Sequence, residues 1–167
     1  MITKITNKNL LILLLIASVT ALVFVYISQY FFNLEPCILC FYQRKPFLAI
    51  VAVSALTLSY FKSEKSKRIA LYLCTFLLVI NFIIASYHSG VEKKFFKGPT
   101  TCSSENLKNV TNLKELEQAL ITAKTIRCDE PNFFFLKLSM ANWNALYCLA
   151  LLFYIAAVRL QRRSTPL

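Results

Sequence analysis

The chain has 167 residues, enough for one domain, with 57% hydrophobic residues, two glycines and a formal net charge of +11. So apolar a composition argues against a water-soluble domain and for the bilayer. The charge argues against a nucleic-acid face, because the basic residues gather at the ends of apolar runs, the pattern of membrane orientation.

Lys4 and Lys8 lead into Leu10 to Phe32, 23 residues without charge that would span about 34 Å as a helix. This run exceeds the roughly 7 to 15 apolar residues of a signal-peptide core and shows no clear small-residue cleavage site, so a retained span is expected over 10–32. Next comes Pro36-Cys37-Ile38-Leu39-Cys40-Phe41-Tyr42-Gln43-Arg44. Two thiols three positions apart on one helical turn can close a short disulfide or share a metal. Pro36 suits the first turn of a helix. A helix beginning there would aim unpaired amides and the positive end of its dipole at the cysteines, favouring thiolate. Arg44, four residues past Cys40, shares that cysteine's helical face. On a second span over 38–61, Arg44 and Lys45 would sit about 10 Å along the axis, near the membrane boundary. Either they snorkel to water or one of them meets an anionic or polarised ligand. Lys62, Lys65, Lys67 and Arg68 make a basic loop before a third span over 69–87, interrupted by little except Asn81.

From His88 the chain turns polar. Cys102 and Cys128, with 25 residues between them, are too far apart for finger-like metal spacing but are easily bridged by a disulfide. Between them, Asn112-Leu113-Lys114-Glu115 resembles a capping box, and Leu113, Leu116, Leu120 and Ile121 form an apolar stripe, so a short surface helix is expected. Phe133 to Leu136 is too short to span and suits the interface. A fourth span is expected over 140–158, with Trp143 near its entry and Arg159, Arg162 and Arg163 at its exit. Cys74 and Cys148, inside apolar runs, read as small core residues. The expected fold is all-α: a transmembrane four-helix bundle forming a single integral membrane domain, with extracytoplasmic loops over 33–37 and 88–139.

Four spans place both termini and the basic loop on one side and the two cysteine-bearing segments on the other. Nine Lys or Arg fall on the terminal side and ten on the loop side, but the terminal side packs its nine into three short segments beside a single acid, Glu64. That density reads as cytoplasmic. Cys37, Cys40, Cys102 and Cys128 then face an oxidising compartment, where disulfides persist and zinc is disfavoured. A bridge between Cys37 and Cys40 closes so short a loop that it constrains the unfolded chain little, so the pair suits thiol exchange better than stabilisation. There is no haem-attachment motif, iron-sulfur spacing or dinucleotide fingerprint, and the accessible electron reservoir is the bilayer, which dissolves quinones. From the residues alone the reading is a membrane thiol oxidoreductase with its acceptor unnamed.

The sequence resembles the bacterial disulfide bond formation protein DsbB family. The resemblance lies in Pro36-Cys37-Ile38-Leu39-Cys40 with Gln43-Arg44, in Tyr87-His88-Ser89-Gly90-Val91-Glu92 leading to Gly98-Pro99 and Cys102, and in Cys128-Asp129-Glu130 followed by Phe135-Leu136 and Leu138-Ser139-Met140. It departs from the family where tryptophan is frequent, with Phe95 or Phe96 and Phe133 instead, and at Lys137, where glycine is common. The resemblance implies an enzyme of the bacterial inner membrane that reoxidises a periplasmic DsbA-like dithiol and passes the electrons to ubiquinone or menaquinone, with no metal and no nucleic acid. By the same mapping, partner thiolate attacks Cys102, released Cys128 attacks Cys37, and Cys40 faces the quinone. Arg44, His88 and Met140 would lie near that quinone. Two other readings compete: a vitamin K epoxide reductase-like enzyme, in which the loop cysteines come before the membrane pair, and a non-enzymatic membrane scaffold with structural disulfides.

Overall fold

The computed structural model describes residues 6–99, 128–129 and 133–164. Its elements are α1 (Asn7–Phe31), α2 (Ile38–Tyr60), α3 (Glu64–Glu92), a two-stranded hairpin of β1 (Phe134–Phe135) and β2 (Leu138–Ser139), and α4 (Met140–Ser164). All four helices are long and apolar enough to cross a membrane, in keeping with an all-α transmembrane bundle. Cys102 and the expected helix after Asn112 lie outside the described residues.

Because lipid is as apolar as leucine, the inside of such a bundle is marked by close packing and by small or polar residues rather than by hydrophobicity. Leu10, Leu11 and Leu14 of α1, Ile50 of α2, Leu71, Cys74 and Leu78 of α3, and Cys148 and Ile155 of α4 form one buried cluster. Ser18, Ser54, Thr57 and Asn81 are buried with them, while Ile16, Phe24, Leu56, Phe76 and Phe153 remain exposed to the lipid. Cys74 and Cys148 are fully buried core residues, as expected.

Several boundaries differ from the sequence reading. Helix α3 runs past 69–87 at both ends, so Lys65, Lys67 and Arg68 belong to its first turns, where Lys67 pairs with Glu64 at 2.8 Å. At the other end, His88 to Glu92 form the last turn of α3 instead of opening a loop. Helix α4 continues past 158. Its Arg159 lies over the Tyr72 ring at 4.3 Å, and Arg162 Nη1 donates to Asn7 Oδ1 at 2.7 Å, tying α4 to the start of α1.

The hairpin was not expected. Phe134 pairs with Ser139 and Phe135 with Leu138, and the two turn residues, Leu136 (φ 51°) and Lys137 (φ 64°), are both left-handed. A type I′ two-residue hairpin requires this. Trp143 of α4 holds the hairpin down, donating from Nε1 to the Phe135 carbonyl at 3.0 Å.

The end of α3 is set by Gly90. Phe95 N–H donates to the Gly90 carbonyl at 2.9 Å and Lys94, at φ 62°, reverses the chain, so that Phe96 returns to stack on Tyr87 with ring centroids 5.7 Å apart. A Cβ on Gly90 would lie 2.4 Å from Phe96 Cδ2. Gly90→Ala must therefore displace the exposed Phe96 ring from its stack on Tyr87, at a cost on the order of 1 kcal/mol. Thermal unfolding in detergent micelles should show a lowered midpoint; a midpoint equal to that of the parent would mean the chain reversal yields freely.

Candidate functional site: a dithiol under a buried histidine

Cys37 is the N-cap of α2, its backbone extended (φ −74°, ψ 170°) and its Sγ accepting from Cys40 N–H at 3.4 Å. Pro36 thus precedes the cap rather than occupying the first turn, because the cysteine takes the capping role a Ser or Asp usually fills. The two sulfurs are 3.2 Å apart and both are free. This is a dithiol, since a disulfide requires about 2.05 Å.

From α3, His88 brings Nε2 to 3.5 Å from Cys37 Sγ. Its other ring nitrogen, Nδ1, is 2.9 Å from Gln43 Nε2. Gln43 Oε1 is occupied by Asn144 Nδ2 at 2.8 Å, so the amide nitrogen faces the ring. Nδ1 therefore accepts, and the ring proton of the neutral imidazole sits on Nε2, aimed at Cys37. Glu92, one turn further along α3, places Oε1 3.7 Å from the same Nε2. Its other oxygen accepts from Ser139 Oγ, which also caps α4 by accepting from Asn142 N–H at 3.3 Å. Three helices thus meet through one polar chain, with Gln43, His88 and Ser139 all buried.

These donors make Cys37 the sulfur that carries negative charge in the dithiol, with its pKa lowered to about 4. The Cys40 S–H contributes most; burial opposes it, and the hydrogen bond from His88 and the Cys40 amide N–H add further lowering. The helix start does act on the thiol as the sequence suggested, but on Cys37, and His88 does more than an interfacial position would require.

Arg44 is buried, not snorkelling. Its Nη1 donates to Gln29 Oε1 of α1 at 2.8 Å, and its guanidinium carbon lies 5.2 Å from the Tyr26 ring centroid and 5.0 Å from that of Phe41. Among the described residues, Nε has no hydrogen-bond partner. Lys45 stays exposed, its Nζ over Tyr42 at 4.7 Å. Cys128 is disulfide-bonded and buried, in one cluster with Cys37, Leu39 and Val91, against which Cys40 packs. Met140 is half-buried at the first position of α4, beside the capping Ser139. Gln43, Glu92, Ser139 and Asn144 were given no role from the sequence. Amides inside apolar spans were the available signal, since a bilayer tolerates them only when they are paired.

Among known proteins, the sequence matches the family described as disulfide bond formation protein DsbB over residues 7–158. It is also 29% identical over 158 residues to a Rickettsia prowazekii (strain Madrid E) protein described as uncharacterized protein RP370, a match covering 94% of this chain and 90% of that protein. No solved structure matches it significantly.

Removing donors from a thiolate favours its protonated form, so His88→Ala must raise the Cys37 pKa. In the reduced protein, alkylation of Cys37 read by peptide mass should show a midpoint well below the ordinary thiol value of about 8.5, and His88→Ala should move that midpoint upward. A midpoint indifferent to His88 would refute the arrangement of donors.

Proposed function

We propose that this chain, which belongs to the DsbB family of disulfide bond formation proteins, is a membrane thiol:quinone oxidoreductase that reoxidises a DsbA-like dithiol protein. The observation that carries the reading is the packing of Cys128, a disulfide-bonded cysteine, in one buried cluster with Cys37. Two redox-competent pairs that meet can exchange; a scaffold has no need to bring them together.

The steps balance as follows. A thiolate of the reduced partner attacks Cys102 of a Cys102–Cys128 disulfide, forming a mixed disulfide and releasing Cys128 as thiolate. The partner's second thiol then closes the partner's disulfide and frees Cys102. Cys128 attacks Cys37 of the oxidised Cys37–Cys40 pair, so Cys40 leaves as thiolate. Cys102 next attacks Cys128, restoring the loop disulfide and releasing Cys37. Two electrons now reside on the Cys37–Cys40 pair, with one proton on Cys40; the other proton released by the partner dithiol goes to water, leaving Cys37 as thiolate. A bound quinone supplies the two-electron acceptor that returns this pair to the disulfide. His88, with its proton on Nε2 in the neutral ring, holds and passes the proton at Cys37 Sγ.

The residues fit a quinone on the Cys40 side of α2. The buried Nε–H of Arg44, without a partner among the described residues, is a charged donor for a quinone oxygen, and the Tyr26 and Phe41 rings flank the guanidinium. An apolar groove of about 390 Å³, lined by Leu39, Tyr42, Ile83, Ile84 and Tyr87, lies on the nearly opposite face of α2 and is suited to a lipid chain rather than to a quinone held at Arg44. Met140 would close the site from the start of α4. The cysteines would face the periplasm from the bacterial inner membrane.

The test is turnover of purified protein with a reduced DsbA-like dithiol and a short-chain quinone. Cys102→Ser should abolish oxidation of the dithiol protein while quinone still oxidises the Cys37–Cys40 pair. Arg44→Ala should lower kcat/KM for quinone roughly 10- to 100-fold, the worth of one charged hydrogen bond. Normal turnover in Cys102→Ser would sink the relay, and disulfides that stay oxidised throughout would favour the scaffold.

A further inference from the structure

The dithiol and His88 also have the geometry of a metal-binding set. Ligating atoms of Cys37, Cys40 and His88 all lie within 4.8 Å of one another. We propose that the reduced Cys37–Cys40 pair, with His88 Nε2 as third donor and Glu92 as fourth, binds a thiophilic divalent cation of the zinc type, and that the site exists only in the reduced state.

The distances fit a tetrahedral ion. With zinc–sulfur near 2.3 Å and zinc–nitrogen near 2.0 Å, a sulfur and a nitrogen on one ion stand roughly 3.5 Å apart; Cys37 Sγ and His88 Nε2 are 3.5 Å apart. Two thiolates on one ion stand roughly 3.8 Å apart, so the sulfurs, at 3.2 Å, need to open only slightly. Glu92 Oε1 is 3.7 Å from Nε2 but lies outside the set of atoms gathered within 4.8 Å of one another, so its side chain must move toward the sulfurs to take the fourth vertex. Cys37 and Cys40 come from the start of α2 and the other two donors from the end of α3, so both helix ends would be fastened by the ion.

Metal at Nε2 requires the ring proton on Nδ1 and an acceptor for it. Gln43 can supply this by turning its amide oxygen toward His88. Asn144 would turn with it and accept from Gln43 Nε2. Asn81 Oδ1 now lies 3.5 Å from Asn144 Nδ2, and Asn81 Nδ2 has no partner among the described residues; after the same reversal that nitrogen would face the Asn144 oxygen. The amide chain thus accommodates both imidazole tautomers.

Binding is an acid-base event: Cys40 gives up its S–H proton, the cation takes two thiolates, and no electrons move. The bound sulfurs cannot form a disulfide until the ion leaves, so zinc would hold the centre reduced. The site requires only the free dithiol, neither quinone nor partner protein, and stands apart from the proposed reaction.

The experiment uses the full chain with Cys102→Ser and Cys128→Ser, which removes the other dithiol. The protein is reduced with a phosphine, freed of reductant and titrated anaerobically with Co²⁺ as the coloured substitute for zinc. Expected are sulfur-to-cobalt charge-transfer and intense four-coordinate d–d bands that saturate at one ion per chain, vanish on adding Zn²⁺, and are absent once the Cys37–Cys40 disulfide has been formed. His88→Ala and Cys40→Ser should each weaken binding at least tenfold, and Gln43→Leu about 10- to 100-fold, as loss of a ligand's supporting hydrogen bond does elsewhere. Absence of these bands, their persistence in the oxidised protein, or an affinity unchanged by His88→Ala would each overturn the proposal.

Discussion

The hydrogen bond from Gln43 Nε2 to His88 Nδ1, 2.9 Å long and buried between α2 and α3, is the contact on which the arrangement of the site depends. Neither group could enter the bilayer alone, because an unpaired polar group there costs several kcal/mol. Together, and with Asn144 on the far side of Gln43, they join three helices at one level. The bond also decides chemistry. By occupying Nδ1 it puts the ring proton of neutral His88 on Nε2, and Nε2 faces the sulfur of Cys37.

Around that contact, the ends of helices supply the remaining parts. Cys37 caps α2, Glu92 finishes α3 and Ser139 caps α4, with Ser139 Oγ donating to Glu92. Capping groups are positioned more firmly than side chains on a loop, because backbone amides hold them. Below this level the bundle is mainly apolar with small polar residues such as Ser18, Ser54 and Thr57 buried in it, and Arg44 is directed to Gln29 and two aromatic rings. The division between thiols follows. In the dithiol Cys37 accepts every donor; once Cys37 is engaged by another cysteine, Cys40 is the sulfur set free, and it is the more exposed of the two.

The four spans were legible because a membrane helix needs only length and the absence of charge, and Leu10 to Phe32 or Ile69 to Tyr87 supply both. Their ends were less so. Lys65, Lys67 and Arg68 are polar yet helical, and hydropathy does not distinguish a charged helical turn from a loop. The hairpin at Phe134 to Ser139 depends on two left-handed residues, Leu136 and Lys137, that carry no turn signature. Within the site, Cys37, Cys40 and Arg44 stood out through spacing along one helix. The pairing of Gln43 with His88, 45 residues apart, and of Ser139 with Glu92 joins separate elements, and periodicity within a helix holds no information about such contacts. Pro36 illustrates the limit: its place near a helix start was readable, but the cap is the cysteine after it.

Convergence of the two cysteine pairs on Cys37 is the central claim, and trapping the bridge between them tests it most directly. A chain carrying Cys40→Ala and Cys102→Ala keeps one cysteine of each pair, with no resolving thiol to undo a bond between them. After oxidation, peptide mass analysis without reductant should find Cys37 linked to Cys128, whereas the mirror variant, Cys37→Ala with Cys102→Ala, should give little Cys40–Cys128 product. Equal trapping in both variants, or a Cys128 that links only to Cys40, would contradict the assignment of Cys37 as the acceptor.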